Sequence, residues 1–155
     1  MDVALYQPEI PPNTGNIIRL CANTGSTLHL IGPMGFALTE KSCRRAGLDY
    51  NDMACVKTYD DWTSFIDTLD KPLVALTTKT QTHYHTHRFD ADCCLLFGPE
   101  SRGLPQEILQ DPSITKIRIP MAPGSRSINL SNSCAIVLYE ALRQNNFQEG
   151  KNLLS

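Results

Sequence analysis

The sequence lacks the patterns of a membrane protein, a secreted disulfide-rich protein or a zinc protein. No apolar run approaches the roughly 20 residues of a membrane-spanning helix, and residues 1–6 show no basic region of a signal peptide. None of the six cysteines belongs to a Cys-x-x-Cys pair, which favours reduced, mostly buried thiols over a metal site or disulfides. We therefore expect a cytoplasmic protein with no membrane association.

The sequence also lacks a strong excess of positive charge. Its formal net charge is −2, whereas proteins that hold nucleic acid by bulk electrostatics are strongly basic. Recognition of RNA would therefore depend on a local basic patch. Lys41, Arg44 and Arg45 fall at i, i+3 and i+4 of a predicted helix and would form such a patch. Taken alone, charges at this spacing are more typical of a solvated helix face.

The order of the predicted elements indicates the fold class. Strands and helices alternate along the 155 residues, which predicts a single α/β domain over residues 1–155 with a mainly parallel sheet and helices on both faces. Nothing after the first strand matches Gly-x-Gly-x-x-Gly, so an ordinary dinucleotide-binding fold is unsupported. The predicted strands are residues 3–6, 27–31, 54–59, 72–77, 93–97 and 114–119. The predicted helices are residues 14–23, 39–46 and 60–69, a short helix begun by Pro105, and residues 129–145.

Prolines and capping residues set the expected helix ends. Three prolines should keep residues 7–12 out of a helix, so that Asn13 is the expected N-cap of the first helix and Gly25 follows its end. Asp60 is the expected N-cap of the third helix. Residues 148–155 are polar, and we expect them to be frayed.

Two predicted strands run directly into loops that are rich in Gly, Pro, Ser and Arg. Residues 96–105 read L-F-G-P-E-S-R-G-L-P, and residues 117–132 read I-R-I-P-M-A-P-G-S-R-S-I-N-L-S-N. Parallel α/β sheets place their ligands at the carboxyl ends of strands. Gly98 ends one strand and would allow a ligand to approach the backbone, so that a side chain there would occupy the space of the ligand. The two loops therefore predict a binding site.

Three histidines form a second candidate site. His83, His85 and His87 recur at i, i+2 and i+4, a spacing that would hold a metal ion if the segment were extended. They lie in a polar stretch with no carboxylate or cysteine nearby before Asp90. We therefore interpret this stretch as a surface loop and expect no metal.

The two loops resemble the second and third motifs of the SPOUT family, the methyltransferases with a trefoil knot, and most closely its TrmL branch of tRNA wobble-nucleotide 2'-O-methyltransferases. N-T-G-N-I-I-R at residues 13–19 resembles the first motif. Residues 6–12 and 44–50 extend the similarity over nearly the whole chain. Thr80 departs from the pattern, because many relatives carry a glycine after T-T-K. The resemblance implies the SPOUT fold with a C-terminal trefoil knot, which periodicity cannot show.

The resemblance also implies a reaction. The methyl donor would be S-adenosylmethionine, with S-adenosylhomocysteine as the product. The acceptor would be the ribose 2'-hydroxyl of the wobble nucleotide, a cytidine or modified uridine, in the anticodon loop of leucine tRNA. A ribosomal RNA 2'-O-methyltransferase and a non-catalytic RNA-binding or assembly protein are the alternatives. The family works as a homodimer, with the first and last helices expected at the interface.

Carried over residue by residue, the resemblance assigns a cofactor pocket at the strand ends. The expected cofactor-binding residues are Leu76, Gly98, Glu100, Ile119, Met121, Ser127 and Leu130. Glu100 would either hydrogen-bond a hydroxyl or cap the following turn, and the sequence leaves both roles open.

The same resemblance assigns the catalytic and RNA-binding residues. Arg19 lies on a polar helix face with Asn16 and Asn23, and since a free arginine is a very poor base, we expect it to orient the hydroxyl and its phosphate. Ser127 and Asn129 are expected to hold the 2'-hydroxyl. The expected RNA contacts are Arg19, Lys41, Arg44, Arg45, Arg102 and Arg126.

Overall fold

A six-stranded, all-parallel sheet organises the protein. The computed structural model describes residues 1–45, 47–149 and 151–153. Its strands are β1 (Asp2–Tyr6), β2 (Thr27–Ile31), β3 (Val56–Tyr59), β4 (Leu73–Leu76), β5 (Cys94–Phe97) and β6 (Thr115–Ile117), in the order β3-β2-β1-β5-β4-β6. Its helices are α1 (Pro11–Thr24), α2 (Glu40–Arg45), α3 (Tyr50–Met53), α4 (Trp62–Ile66), α5 (Gln106–Gln110) and α6 (Leu130–Gln144). The predicted α/β parallel sheet is confirmed.

Helices cover both faces of the sheet, as the burial of β1 shows. Successive residues of a strand point to opposite faces. Val3 and Leu5 join a buried cluster with α1 and α6, whereas Ala4 joins a second cluster with Phe65 of α4 and Ile108 of α5. Burial on both faces explains why the central strands are continuously apolar. Five of the six cysteines are buried, as expected, and all six are free thiols.

The first helix begins earlier than the sequence pattern suggested. Pro11 and Pro12 occupy its first two positions and Ile10 is its N-cap, so the expectation of a non-helical 7–12 segment capped by Asn13 is wrong. A proline is tolerated there because the first N–H groups of a helix have no intrahelical acceptor. Asn13 therefore lies inside α1, where its side chain is buried. Gly25 follows the helix with a left-handed φ of 71°, as predicted.

The segment between β2 and β4 differs most from the predicted elements. Asp49 and Asp52 form a reciprocal capping box that starts α3, a helix that the sequence reading missed, and β3 consequently begins at Val56. Asp61 rather than Asp60 caps α4, which ends at Ile66 instead of residue 69. The predicted helix at 39–46 corresponds to α2, and its last residue, Ala46, lies outside the described residues.

The C-terminal part begins as predicted and ends differently. Asn129 is the N-cap of α6, and its Oδ1 accepts hydrogen bonds from the Ser131 and Asn132 N–H groups. Beyond the helix, β7 (Gln148–Glu149) and β8 (Lys151–Asn152) pair antiparallel, so the expected fraying is wrong where the tail is described. The same expectation for residues 150, 154 and 155 lies outside the described part. No described helix is both long and apolar enough to cross a bilayer.

The histidine stretch extends the sheet edge beside β6. The Arg118 N–H donates to the Thr82 carbonyl and the Tyr84 N–H donates to the Arg118 carbonyl, each over 2.9 Å. The His83 and His85 rings stack with centroids 5.6 Å apart. Across residues 1–45, 47–149 and 151–153, no group of three or more metal-ligating side chains is placed to hold an ion.

Candidate active site

A cleft of about 570 Å³ opens at the carboxyl ends of β4, β5 and β6. A volume of this size lies within the roughly 300–1,000 Å³ of small-molecule sites. The cleft is formed by the loops that follow these three strands, together with the first turns of α1 and α6. Its charged lining side chains are Lys79, Glu100, Arg102 and Arg126. The loops that were predicted to form a binding site therefore line one cleft.

Every residue that was expected to bind the cofactor lines this cleft. They are Leu76, Gly98, Glu100, Ile119, Met121, Ser127 and Leu130. Leu76, Ile119 and Met121 are half-buried and give the cleft apolar walls, while Ser127 is exposed. Apolar walls beside loop backbone groups suit a flat heteroaromatic ring with a polar edge, such as a nucleobase.

Gly98 has a second role that the sequence interpretation missed. A Cβ atom at this position would lie 2.4 Å from the Leu104 nitrogen and 2.6 Å from the Gly103 carbonyl carbon. The space beside Gly98 is therefore filled by the backbone of its own loop. The expectation that a side chain there would mainly displace ligand is wrong, because that side chain would first displace residues 103–104.

Glu100 holds the start of α1. Its Oε2 accepts a hydrogen bond from the Glu9 N–H over 2.9 Å, and its Oε1 accepts bonds from Ile10 N–H over 3.2 Å and Asn13 Nδ2 over 3.1 Å. Helix starts carry unpaired N–H groups and favour negative charge. Glu100 thus anchors the residues that lead into α1, about 90 residues distant in sequence, instead of capping the turn that follows it.

Glu9 makes the reciprocal contact to the loop that follows β5. Its carboxylate accepts bonds from the Ser101 N–H over 2.9 Å and the Ser101 hydroxyl over 2.8 Å, and from Arg102 Nη1 over 3.0 Å. The bonds from Ser101, with the charge of Arg102, lower the pKa of Glu9. Arg102 also donates from Nη2 to Gln7 Oε1 over 2.5 Å. An RNA phosphate would therefore compete with Glu9 for Arg102.

Asn13 connects the first and third motifs. Its Oδ1 accepts a 3.0 Å hydrogen bond from Asn129 Nδ2, while its own Nδ2 donates to Glu100. Asn129 is occupied at both ends, because its Oδ1 caps α6. It therefore positions α6 against α1. The sequence signal for Asn13 was its spacing of four from Ile17, which places both on the buried face of α1.

Comparison with known proteins identifies the family. The model of the SpoU rRNA methylase family matches residues 1–139. The chain belongs to the SpoU methylase family. It is 55% identical over 147 residues, 93% of each chain, to the tRNA (cytidine(34)-2'-O)-methyltransferase of Escherichia coli strain K12.

Two solved structures agree with this family. One, described as giving structural insights into the 2-OH methylation of C/U34 on tRNA, superposes with a TM-score of 0.86 at 39% identity, covering 94% of this chain and 95% of that one. The other, an AdoMet-bound rRNA methyltransferase from Sinorhizobium meliloti, has a TM-score of 0.78 at 27% identity, covering 92% of this chain and 55% of that one. The resemblance to the SPOUT methyltransferases and their TrmL branch is confirmed.

Several residues expected to bind RNA lie away from the cleft in this SpoU family member. Arg19 does not line it; the Arg19 guanidinium lies 3.3 Å from Asp52 Oδ2 and donates to the Gly47 carbonyl. Lys41, Arg44 and Arg45 are exposed on α2. Arg126 lies with Arg102 on the cleft lining. The expected RNA contacts thus form two groups, one at the cleft and one on α1 and α2.

Proposed function

We propose that the chain transfers a methyl group from S-adenosylmethionine to the ribose 2'-hydroxyl of the wobble nucleotide in leucine tRNA, a cytidine or modified uridine. One observation carries the proposal. The three motifs converge on one cleft, in a chain that is 55% identical to a tRNA (cytidine(34)-2'-O)-methyltransferase. No other described feature of the chain favours a different reaction as directly.

The cleft suits S-adenosylmethionine chemically. Leu76, Ile119, Met121 and Leu130 would enclose the adenine, and the backbone of the loops after β5 and β6 would bind its polar edge. When bound, the cofactor supplies a methyl group already activated by a sulfonium. The AdoMet-bound relative from Sinorhizobium meliloti supports this assignment. The product would be S-adenosylhomocysteine.

The protein's own contribution would be to align the acceptor hydroxyl and assist loss of its proton. Ser127 is exposed at the cleft and could accept a hydrogen bond from the ribose, and Arg126 beside it could bind the adjacent phosphate. Asn129 would act indirectly, by holding α6 against Asn13. We assign the orientation of the hydroxyl and its phosphate to Arg19.

A homodimer would reconcile Arg19 with that role. Arg19 lies outside the cleft of its own subunit, so a second copy is needed to bring it to a reaction centre. α6 carries two exposed apolar side chains, Ile136 at 37% and Tyr139 at 48% exposure, which would be covered by a partner. Light scattering should give about twice the 17.2 kDa chain mass. A monomer that methylates at the full rate would contradict both the dimer and this role of Arg19.

The anticodon loop is the target that the charge distribution favours. A chain with a net charge of −2 is poorly suited to hold a long duplex by charge alone, whereas an anticodon loop exposes unpaired bases and 2'-hydroxyls. We further propose that the chain works in the cytoplasm as a single domain with the C-terminal trefoil knot of the SPOUT fold. The match of residues 1–139 to the SpoU methylase family supports the SPOUT fold.

The deciding experiment uses purified protein, labelled S-adenosylmethionine and leucine tRNA. A matched tRNA carries a 2'-deoxy wobble nucleotide and is otherwise identical. Label should enter the first tRNA and not the second; equal incorporation into both would show that the wobble 2'-hydroxyl is not the acceptor. In a parallel reaction with ribosomal RNA, label entering that RNA and neither tRNA would favour the ribosomal RNA alternative. Failure to bind S-adenosylmethionine in calorimetry would favour a non-catalytic RNA-binding protein.

A further inference from the structure

Gln7 has an unusual backbone conformation at the end of β1. Its φ is 46°, in the left-handed region that residues other than glycine rarely adopt. Pro8 follows it, and a residue before a proline ordinarily has an extended backbone. Such a conformation persists only where surrounding contacts hold it, and it is frequent at functional sites. The partners of Gln7 are therefore informative.

The backbone and the side chain of Gln7 bind in opposite directions across the sheet. Its N–H donates to the Ile31 carbonyl over 2.8 Å, which ties the end of β1 to β2. Its Oε1 accepts a bond from Arg102 Nη2 over 2.5 Å, in the loop that follows β5. β1 lies between β2 and β5 in the sheet. The turn of the chain at Gln7 therefore brings an amide oxygen to Arg102 from the neighbouring strand.

Arg102 is the member of this pair that a ligand can reach. Its side chain is 56% exposed, and the residue lines the cleft. A guanidinium carries five N–H donors, of which Glu9 accepts one from Nη1 and Gln7 accepts one from Nη2. Among the described residues no other group accepts from this guanidinium, so three donors are left for a ligand.

The two acceptors of Arg102 differ in charge. Glu9 offers a carboxylate, which an arriving phosphate would repel and replace on the guanidinium. Gln7 offers a neutral amide oxygen, which a phosphate does not repel. Gln7 can therefore keep the guanidinium plane in one orientation before and after a phosphate binds. A guanidinium that is already oriented loses less conformational freedom on binding.

We propose that Gln7 is a positioning residue, which holds the Arg102 guanidinium in the orientation that binds a phosphate of the RNA substrate. Gln7 acts through Arg102 and does not itself contact the RNA. Its role depends on the acceptor oxygen and on the length of the side chain that carries it. This inference rests on the proposed RNA methyltransferase function, in which Arg102 is an RNA contact.

Two variants separate the contact from the backbone conformation. Gln7→Met keeps the length of the side chain and removes the acceptor. Gln7→Asn keeps the amide but is one methylene shorter, and asparagine adopts a left-handed backbone more readily than glutamine. Both should raise the dissociation constant for leucine tRNA in fluorescence anisotropy about 2- to 10-fold, the net contribution of one hydrogen bond, while the thermal midpoint of Gln7→Asn does not fall. Wild-type tRNA affinity in both variants would overturn the proposal.

A double-mutant cycle shows whether Gln7 acts through Arg102. In an Arg102→Met protein, adding Gln7→Met should leave the tRNA dissociation constant unchanged within about twofold, because the group to be positioned is already absent. Equal losses with and without Arg102 would show a general structural role and overturn the proposal. Gln110→Met is the matched control, because Gln110 is exposed at the end of α5 and lies outside the cleft lining. It should bind tRNA like the wild type.

Kinetics and calorimetry identify the ligand that Arg102 serves. Gln7→Met should raise the KM for tRNA and leave kcat nearly unchanged, since the contact contributes to binding; a fall in kcat at unchanged KM would contradict this. S-adenosylmethionine affinity should stay within about twofold of the wild type. Loss of cofactor affinity at unchanged tRNA affinity would assign the pair to the cofactor and overturn the proposal. A wild-type protein that binds no tRNA would instead refute the proposed function itself.

Discussion

Replacing Gly98 by alanine tests how the cleft is built. The added Cβ would lie 2.4 Å from the Leu104 nitrogen, about 1 Å inside the 3.4 Å at which ordinary contact begins. Both near atoms belong to backbone, which cannot rotate away as a flexible side chain would. The loop would have to move, which would strain the hydrogen bond from the Gly103 N–H to the Pro99 carbonyl.

The size of the effect follows from this collision. Forcing extra atoms into a packed site costs typically about 1–3 kcal/mol, and a backbone collision should fall near the upper end, at about 2–3 kcal/mol of unfolding free energy. S-adenosylmethionine affinity should fall as well, since the displaced loop lines the cleft. Gly35→Ala is the matched control because nothing lies within 4 Å of its added Cβ, and we expect it to change stability by less than about 1 kcal/mol.

Urea unfolding and calorimetric titration of the cofactor separate two explanations of Gly98. If the loop contact dominates, Gly98→Ala lowers both the urea midpoint and the cofactor affinity. If the glycine only leaves room for the ligand, the variant loses affinity at an unchanged midpoint. That second result would refute the argument from the 103–104 backbone.

Three further predictions address the motifs and the amino end of β1. Asn13→Ala removes two part-buried hydrogen bonds, to Glu100 and to Asn129, and should cost about 1–3 kcal/mol in urea unfolding with loss of cofactor affinity; unchanged values would show that the bridge between motifs is dispensable. Arg19→Ala should lower methylation by about 100-fold or more while stability changes by about 1 kcal/mol or less, because its ion pair is exposed; wild-type turnover would contradict this. Burial alone would raise the pKa of Asp2, but hydrogen bonds from His29 and Lys71 hold it below the ordinary 3.8. A depressed folded-state pKa adds stability that is present above about pH 4 and lost on acidification, so the acid-induced fall in thermal midpoint should be smaller in Asp2→Asn, and an identical fall would refute the linkage.

Local signals predicted much of the fold. The bounds of β2 and, to within one residue at each end, of α6 agree with the sequence, because apolar spacing acts over one or two turns. The errors have two local causes. Pro11 and Pro12 were interpreted as helix breakers, although a proline in the first turn costs little. The α3 helix was missed because four residues carry no periodic pattern, and only its capping box marks it.

The site was predicted as a set of lining residues but not as a network. The motif resemblance grouped the residues assigned to the cofactor, and each of them lines the cleft. The contacts that hold it together join positions far apart in the chain: 87 residues separate Asn13 from Glu100, and 116 separate it from Asn129. Such pairings depend on the tertiary fold, so neither spacing nor composition indicates them. The second role of Gly98 was missed for the same reason, because its neighbours at 103–104 approach it only after the loop has closed.

The hydrogen-bond network also predicts that the two proposed ligands, the cofactor and RNA, bind in different ways. Glu9 and Glu100 each bind the other's loop, and Asn13 ties both to α6 through Asn129. Because the side chains that form the cleft walls already hydrogen-bond to one another, binding of the cofactor would require little loss of conformational entropy in the cleft. The cations proposed for RNA are exposed, and Arg102 and Arg19 each share a carboxylate that a phosphate would have to displace. Binding of RNA should therefore be the step that depends on salt and rearranges side chains, whereas cofactor binding should be nearly insensitive to salt.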